Sequence, residues 1–219
     1  MVTGGSRGIG KCIVEAYREH GYQVDAPPRK ELDLADCASI EAFLQQKQDA
    51  GQGYDIVVND AGVNLINEID KVETADLQEM LHVNLVAPIL LLRGLVPQMK
   101  RQGFGRIVNI GSIWGVVSKP GRSIYSATKH GVHGITMTLA LELAQYGILV
   151  NTVAPGQTMT ELTVWNNPGD AIKQMEKDIP VGRLAQPMEI AKAVYWLGSE
   201  ENTYITGQQV VVDGGLTIK

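Results

Sequence analysis

Thr3-Gly4-Gly5-Ser6-Arg7-Gly8-Ile9-Gly10 stands almost at the start of the chain. It follows a short β-branched remnant, residues 1–3, that reads as the end of a strand. It leads into residues 8–20, where Ile9, Cys12, Ile13 and Ala16 fall on one face of a helix. Glycine permits positive φ and lets a backbone approach a pyrophosphate closely. The first turn of the helix adds free N–H groups and the positive end of its dipole. A strand, a glycine turn and a helix in that order predict a phosphate cradle made by Gly4, Ser6, Arg7, Gly8, Ile9 and Gly10.

Outward from the turn, short β-branched runs alternate with longer helical patterns, the signature of parallel βαβ units. Strands are expected at 22–26, 55–58, 106–110, 148–153 and 209–212. Helices are expected at 8–20, 36–48, 74–101 (bent near Pro88), 123–145, 169–177 and 188–198. The runs around Val57, Val108 and Val150 are continuously apolar, as in strands covered by helices on both faces. The fold expected is α/β: one domain over residues 1–219, a Rossmann-type doubly wound parallel sheet with helices on both faces. One crossover is too short. Residues 27–31 alone separate the second strand from Leu32-Asp33-Leu34, whereas a parallel crossover needs about a dozen residues or more. The third strand and its preceding helix are therefore expected to be absent or vestigial. Only Met1 and Val2 precede Thr3, so the central strand looks clipped.

Composition narrows the function classes. The chain has 219 residues, 44% of them apolar, and a formal net charge of −5 with no basic block. A nucleic-acid groove needs a basic stripe, so no nucleic-acid partner is expected. The two cysteines, Cys12 and Cys37, form no CxxC pair, which fits a reducing compartment and no metal site. The apolar stretch 85–96 is too short for a bilayer and no leader precedes the turn, so a cytoplasmic protein without membrane contact is expected.

Tyr125-Ser126-Ala127-Thr128-Lys129 opens the helical pattern of 123–145. Positions i and i+4 share a face, and an ammonium beside a phenol favours the phenolate that acid/base chemistry needs. Ser112 ends a strand, where ligands of α/β sheets gather, and its hydroxyl suits a substrate carbonyl oxygen. Asn84 is a polar misfit inside a helical pattern, placed to bind a water that relays protons to Lys129. Beyond the strand at 22–26 come Pro28 and Arg29, where dehydrogenases that use NAD carry an acid for the ribose 2′-hydroxyl. Arg29 and Arg7 suit a 2′-phosphate instead, which points to NADP(H); Asp25 falls too early for the ribose.

These residues together resemble the short-chain dehydrogenase/reductase family. The resemblance rests on the Thr3–Gly10 turn, Asn59-Asp60-Ala61-Gly62, Asn84, Ser112, Tyr125/Lys129, Pro155-Gly156, Ile205-Thr206-Gly207-Gln208 and Val212-Asp213-Gly214-Gly215. It covers nearly the whole chain. It implies Tyr125 as acid/base, Tyr125 and Lys129 also as contacts of the cofactor with Lys129 on the nicotinamide ribose, Ser112 orienting substrate and Asn84 completing the relay. It further implies Asn59, Ala61 and Gly62 along the adenosine side, Asp33 near the adenine, and Pro155, Gly156, Thr158 and Thr160 flanking the nicotinamide. The family's usual second Asn is Asp60 here, a change expected to matter little. The segment 179–187 and the tail look most like bacterial 3-oxoacyl-thioester reductases.

A lid over the substrate is expected at about 160–187, with Trp165, Met175 and Trp114 offering apolar surface near Ser112. His130 and His133 read as structural. The function expected is hydride transfer between NADP(H) and a small-molecule carbonyl or alcohol, in a homo-oligomer, dimer or tetramer, paired through 74–101 and 123–145. A dinucleotide sensor without turnover, and an isomerase or dehydratase on the same scaffold, are the alternatives.

Overall fold

Val57, Val108 and Val150 become the inner strands of a parallel sheet in the computed structural model, which describes every residue except Pro168 and the side chain of Leu162. The five strands are β1 (Val2–Thr3), β2 (Ile56–Asn59), β3 (Gly105–Ile110), β4 (Ile148–Pro155) and β5 (Gln209–Val212), hydrogen-bonded in that order and all parallel. Val57, Ile107 and Val150 stand in register across the middle strands. They point to one face, as period-two alternation requires.

That face packs against α2 (Cys37–Asp49), α4 (Ala87–Gln102) and α5 (Ser123–Leu143), through Ile40, Phe43, Leu91, Leu95, Met99 and Leu143. The other face, with Ile56, Val58, Val108, Ile110 and Val153, is covered by α1 (Gly8–Glu19) and α8 (Pro187–Gly198), which supply Ile13, Val14, Tyr17, Ile190 and Val194. Helices on both faces leave the C-terminal ends of the strands as the open edge, where such folds hold ligands.

Residues 22–26, expected as a strand, do not join the sheet. A single bond, from the Val2 N–H to the Asp25 carbonyl at 2.9 Å, is what remains of their pairing with β1. Two residues of β1 offer too little ladder to hold more. From there to α2 the chain makes turns and neither helix nor strand, as the short link demands.

The long helical pattern after residue 74 is one apolar run in three pieces: α3 (Thr74–Leu81), a π-helical turn (His82–Val86) and α4. Pro88 has no N–H for the carbonyl one turn back, and the widened turn sits just before it. By length and composition Thr74–Gln102 is apolar enough to cross a membrane, which the shorter stretch 85–96 did not suggest. Here Met80, Val83, Ala87, Leu91, Leu92, Leu95 and Met99 are buried inside the protein instead.

After β4 come α6 (Glu161–Asn166) and α7 (Ala171–Asp178), followed by Ile179 and Leu184, both buried. They occupy the stretch expected as a lid; Pro168, within it, lies outside the described residues.

Candidate active site

The segments leaving β1, β2, β3 and β4 surround one cleft of about 410 Å³. The glycine turn forms one wall. Gly4 and Gly8 take φ of 73° and 55°, values that side chains rarely adopt. A Cβ on Gly10 would overlap the Gly4 carbonyl oxygen, so the turn closes only on glycine. Thr3 Oγ1 accepts the N–H groups of Asp60 (3.1 Å) and Ala61 (3.2 Å), locking the turn to the end of β2. At the start of α1, Arg7 makes no side-chain cap, so the first-turn N–H groups are not taken by its side chain. Ser6, Arg7, Gly8 and Ile9 line the cleft beside them. Close backbone and an uncapped helix start fit a dinucleotide's phosphates.

Asp60 changes the electrostatics of this wall. It lines the cleft, with one carboxylate oxygen close against Gly4 and Gly10. Burial raises its carboxyl from 3.8 to about 7, opposed by the Lys129 charge and the Gly10 N–H. An Asn there would carry no such titration, so this departure bears on the site more than its sequence context suggests.

Ser112, Tyr125 and Lys129 form the opposite wall with Ile110 and Gly111. Ser112 Oγ accepts the Trp114 N–H at 3.2 Å, which fixes the side chain and leaves its own proton to donate. Lys129 is buried; its Nζ donates to the Ile110 carbonyl at 2.7 Å and lies 5.6 Å from the Tyr125 ring centre. Asn84 sits in the π-helical turn. Its Oδ1 accepts the Val63 N–H at 2.7 Å and its Nδ2 donates to the Val63 carbonyl at 2.8 Å. A Cβ built on Gly62 would lie 3.3 Å from Asn84 Oδ1 and 3.8 Å from Lys129 Nζ, so this glycine lets the two groups approach. The widened turn explains how an Asn inside a helical pattern comes to be buried behind Gly62, near Lys129.

Ala61, Gly62, Pro155, Gly156, Thr158 and Thr160 also line the cleft. Gly10, Arg29, Asp33, Asn59 and Asn84 do not. Arg29 Nε donates to Asp33 at 3.1 Å on the exposed surface, each satisfying the other. Asp33 also accepts the Ala35 N–H, and its carboxyl is held below the ordinary value mainly by that bond. Asp25 is engaged by the Tyr54 hydroxyl and by Lys47 Nζ at 2.9 Å. Asn59 braces β2 to β3 by donating to Asn109 Oδ1 at 2.8 Å. Asn109 donates in turn to Thr136, which also accepts from Thr152, so a buried polar chain ties β2, β3, β4 and α5 together. Nothing in the sequence marked that chain, because its members are far apart along it.

Of the apolar residues expected near Ser112, Trp114 and Met175 line the cleft, while Trp165 is 85% exposed. Lys119, Arg122, Asn64, Gln157 and Glu161 line it unanticipated. Arg122 had one local signal, its position one helical turn before Tyr125. His130 bonds the Ser126 carbonyl, and His133 is lowered by burial.

The family model described as enoyl-(acyl carrier protein) reductase matches residues 25–217. The 3-oxoacyl-[acyl-carrier-protein] reductase of Vibrio cholerae is 36% identical over 234 aligned residues, covering 99% of this chain and 96% of that protein. A 4-hydroxyisoleucine dehydrogenase mutant complexed with NADH and succinate superposes with a TM-score of 0.94 at 28% identity, covering 100% and 99% of the two chains. ElxO with NADP bound gives 0.91 at 28% identity, covering 100% and 98%. With its parallel sheet, glycine turn and matching relatives, the chain belongs to the short-chain dehydrogenase/reductase family.

Proposed function

We propose that the protein is an NADP(H)-dependent oxidoreductase acting on a carbonyl or secondary alcohol, with Tyr125 as acid/base. The observation that carries this is one cleft lined by Ser112, Tyr125 and Lys129 on one side and an uncapped helix start under a glycine turn on the other. When bound, the nicotinamide supplies or accepts the hydride.

The residues of this chain do the rest. Gly4, Ser6, Arg7, Gly8 and Ile9 hold the phosphates, with Gly10 closing the turn. Ala61, Gly62, Pro155, Gly156, Thr158 and Thr160 flank the nucleotide, while Asn59 holds the sheet beneath it. Ser112 donates to the substrate oxygen. Tyr125 gives that oxygen a proton in reduction and takes it back in oxidation. Lys129 sets a positive charge beside the ring, so negative charge forming on the phenol oxygen is attracted to it. Asn84, held rigid by Val63, orients a water toward Lys129 to renew the proton. Residues 160–187 act as a lid, with Met175 against the substrate.

The preference for NADP(H) rests on Arg7 in the cleft wall and on Asp25 being occupied by Tyr54 and Lys47. Arg29 joins the 2′-phosphate only by leaving Asp33, with which it now pairs. Copies of the chain pair along the apolar groove between α4 and α5, lined by Ile89, Val96, Pro97, Ile135 and Leu139.

The test is loss of reduced-nicotinamide absorbance with a panel of small ketones and a short 3-oxoacyl thioester, using NADPH and NADH in parallel. Tyr125→Phe is expected to lower kcat by about 10²- to 10⁴-fold while leaving nucleotide binding intact. Nucleotide binding without turnover of any carbonyl would favour a sensor. Preference for NADH would refute the cofactor assignment.

A further inference from the structure

Arg122 and Lys119 stand in the same cleft as Ser112 and Tyr125, and the hydride-transfer scheme uses neither. Arg122 is the residue before α5, 9% exposed, with its guanidinium carbon 5.9 Å from the Tyr125 ring centre. One Nη donates to Asn64 Oδ1; its Nε is enclosed and has no partner. Lys119 Nζ lies 5.1 Å from the Trp114 ring centre, on the same side of the site. Burial lowers the Arg122 guanidinium; Lys119 is an exposed residue, its ammonium lowered by partial desolvation and then by the neighbouring Arg122 charge. Among the described residues no carboxylate pairs with either; Glu161 lines the cleft but bridges to neither. A buried guanidinium is costly without an oxyanion, and two cations facing one opening repel until an anion joins them.

We infer that Arg122 and Lys119 form an anion subsite, and that the substrate is a small ketone or secondary alcohol carrying a carboxylate or phosphate beside its reacting carbon. The inference rests on the oxidoreductase reading above. Arg122 lies one helical turn from Tyr125, with its guanidinium carbon 5.9 Å from the Tyr125 ring centre, so the anionic group and the carbonyl sit within a few bonds of each other. That span suits a short oxo acid or oxo phosphate. The planar guanidinium fits a carboxylate or phosphate edge, and Lys119 adds a point charge.

The NADPH-loaded protein is assayed with 3-oxobutanoate against its methyl ester, and with dihydroxyacetone phosphate against dihydroxyacetone. The anionic member of at least one pair is expected to have the higher kcat/KM by about tenfold or more, and which pair shows it identifies carboxylate or phosphate. Arg122→Gln is expected to lower kcat/KM for that anion by about 10- to 100-fold, mostly through KM. The neutral partner falls by far less, and Arg122→Lys recovers part of the loss. Lys119→Gln has a smaller effect of the same kind. As a binding readout without turnover, succinate is titrated calorimetrically into the NADP⁺-loaded protein, with heat expected for the wild type and none for Arg122→Gln. Equal use of anionic and neutral partners, unchanged in the variants, overturns the subsite. Absence of succinate binding to the wild type, with no anion turned over, overturns it too. No turnover of any carbonyl, with succinate binding that depends on Arg122, sinks the hydride-transfer reading and upholds the subsite.

Discussion

Replacing Asp60 with Asn removes one negative charge from beside the glycine turn while keeping the size of the side chain and an oxygen for the Gly10 N–H. In the folded protein burial raises this carboxyl from 3.8 to about 7, against the pull of Lys129 and Gly10. The unfolded chain therefore loses the Asp60 proton near pH 4, and the folded chain keeps it to about pH 7. Across that window the folded state binds more protons, so this group's contribution to stability falls as pH rises and levels off above 7. The full shift corresponds to about 4 kcal/mol. Because Asp60 lines an open cleft, solvent screening reduces this to roughly 2 kcal/mol.

Asp60→Asn should thus match the wild type near pH 3.5 and exceed it by roughly 2 kcal/mol at pH 8.5, which raises Tm by about 4–8 °C. Denaturant midpoints and Tm for both proteins, measured from pH 3.5 to 9, provide the check. All other titratable groups are common to both proteins and cancel in the difference. NADP⁺ binding gives a second readout, because a carboxylate beside the turn repels the phosphates. Wild-type affinity should weaken by up to about tenfold from pH 6 to 8.5, and the variant should not follow. Parallel stability curves would show that Asp60 is ionised throughout, with Lys129 outweighing burial, and would refute the reasoning. A variant less stable at every pH would show that the carboxylate is held as an ion-pair partner.

Gly10→Ala should abolish detectable nucleotide binding and destabilise the fold by about 1–3 kcal/mol, since its methyl group overlaps the Gly4 carbonyl and the turn must open; fluorescence titration with NADPH and thermal melts check both. Asn84→Ala strips the Val63 N–H and carbonyl of their partners, at a cost of about 1–3 kcal/mol, and should lower kcat more than it raises KM. Unchanged melting and kinetics would remove Asn84 from the relay.

The parts of this protein legible in its sequence are those that depend on neighbouring residues. The glycine turn is legible because backbone close approach selects glycine locally. Tyr125 and Lys129 are legible because helical period alone puts them on one face. The missing crossover helix is legible because residues 27–31 are too few to build one, whatever surrounds them. The second strand failed the same reading. Its composition is strand-like, but its pairing depends on β1, which offers two residues.

Other features follow from contacts between distant residues. Asp25 is occupied because Lys47 and Tyr54 fold against it, and Arg29 is turned aside because Asp33 answers its charge. Asn109, Thr136 and Thr152 form one polar chain only once β3, β4 and α5 are packed. The apolar run Thr74–Gln102 has the composition of a membrane span and is a core helix because a sheet lies beneath it. Asp60 reads as a near-synonym of Asn until folding withdraws it from water. The sequence determined the turn, the pairing of Tyr125 with Lys129 on one helix face and the alternation of strand and helix, because period and chain length act over a few residues. Burial and charge pairing act over the whole fold, so the titration of Asp60 and the unanswered cations Arg122 and Lys119 were decided by the tertiary structure alone.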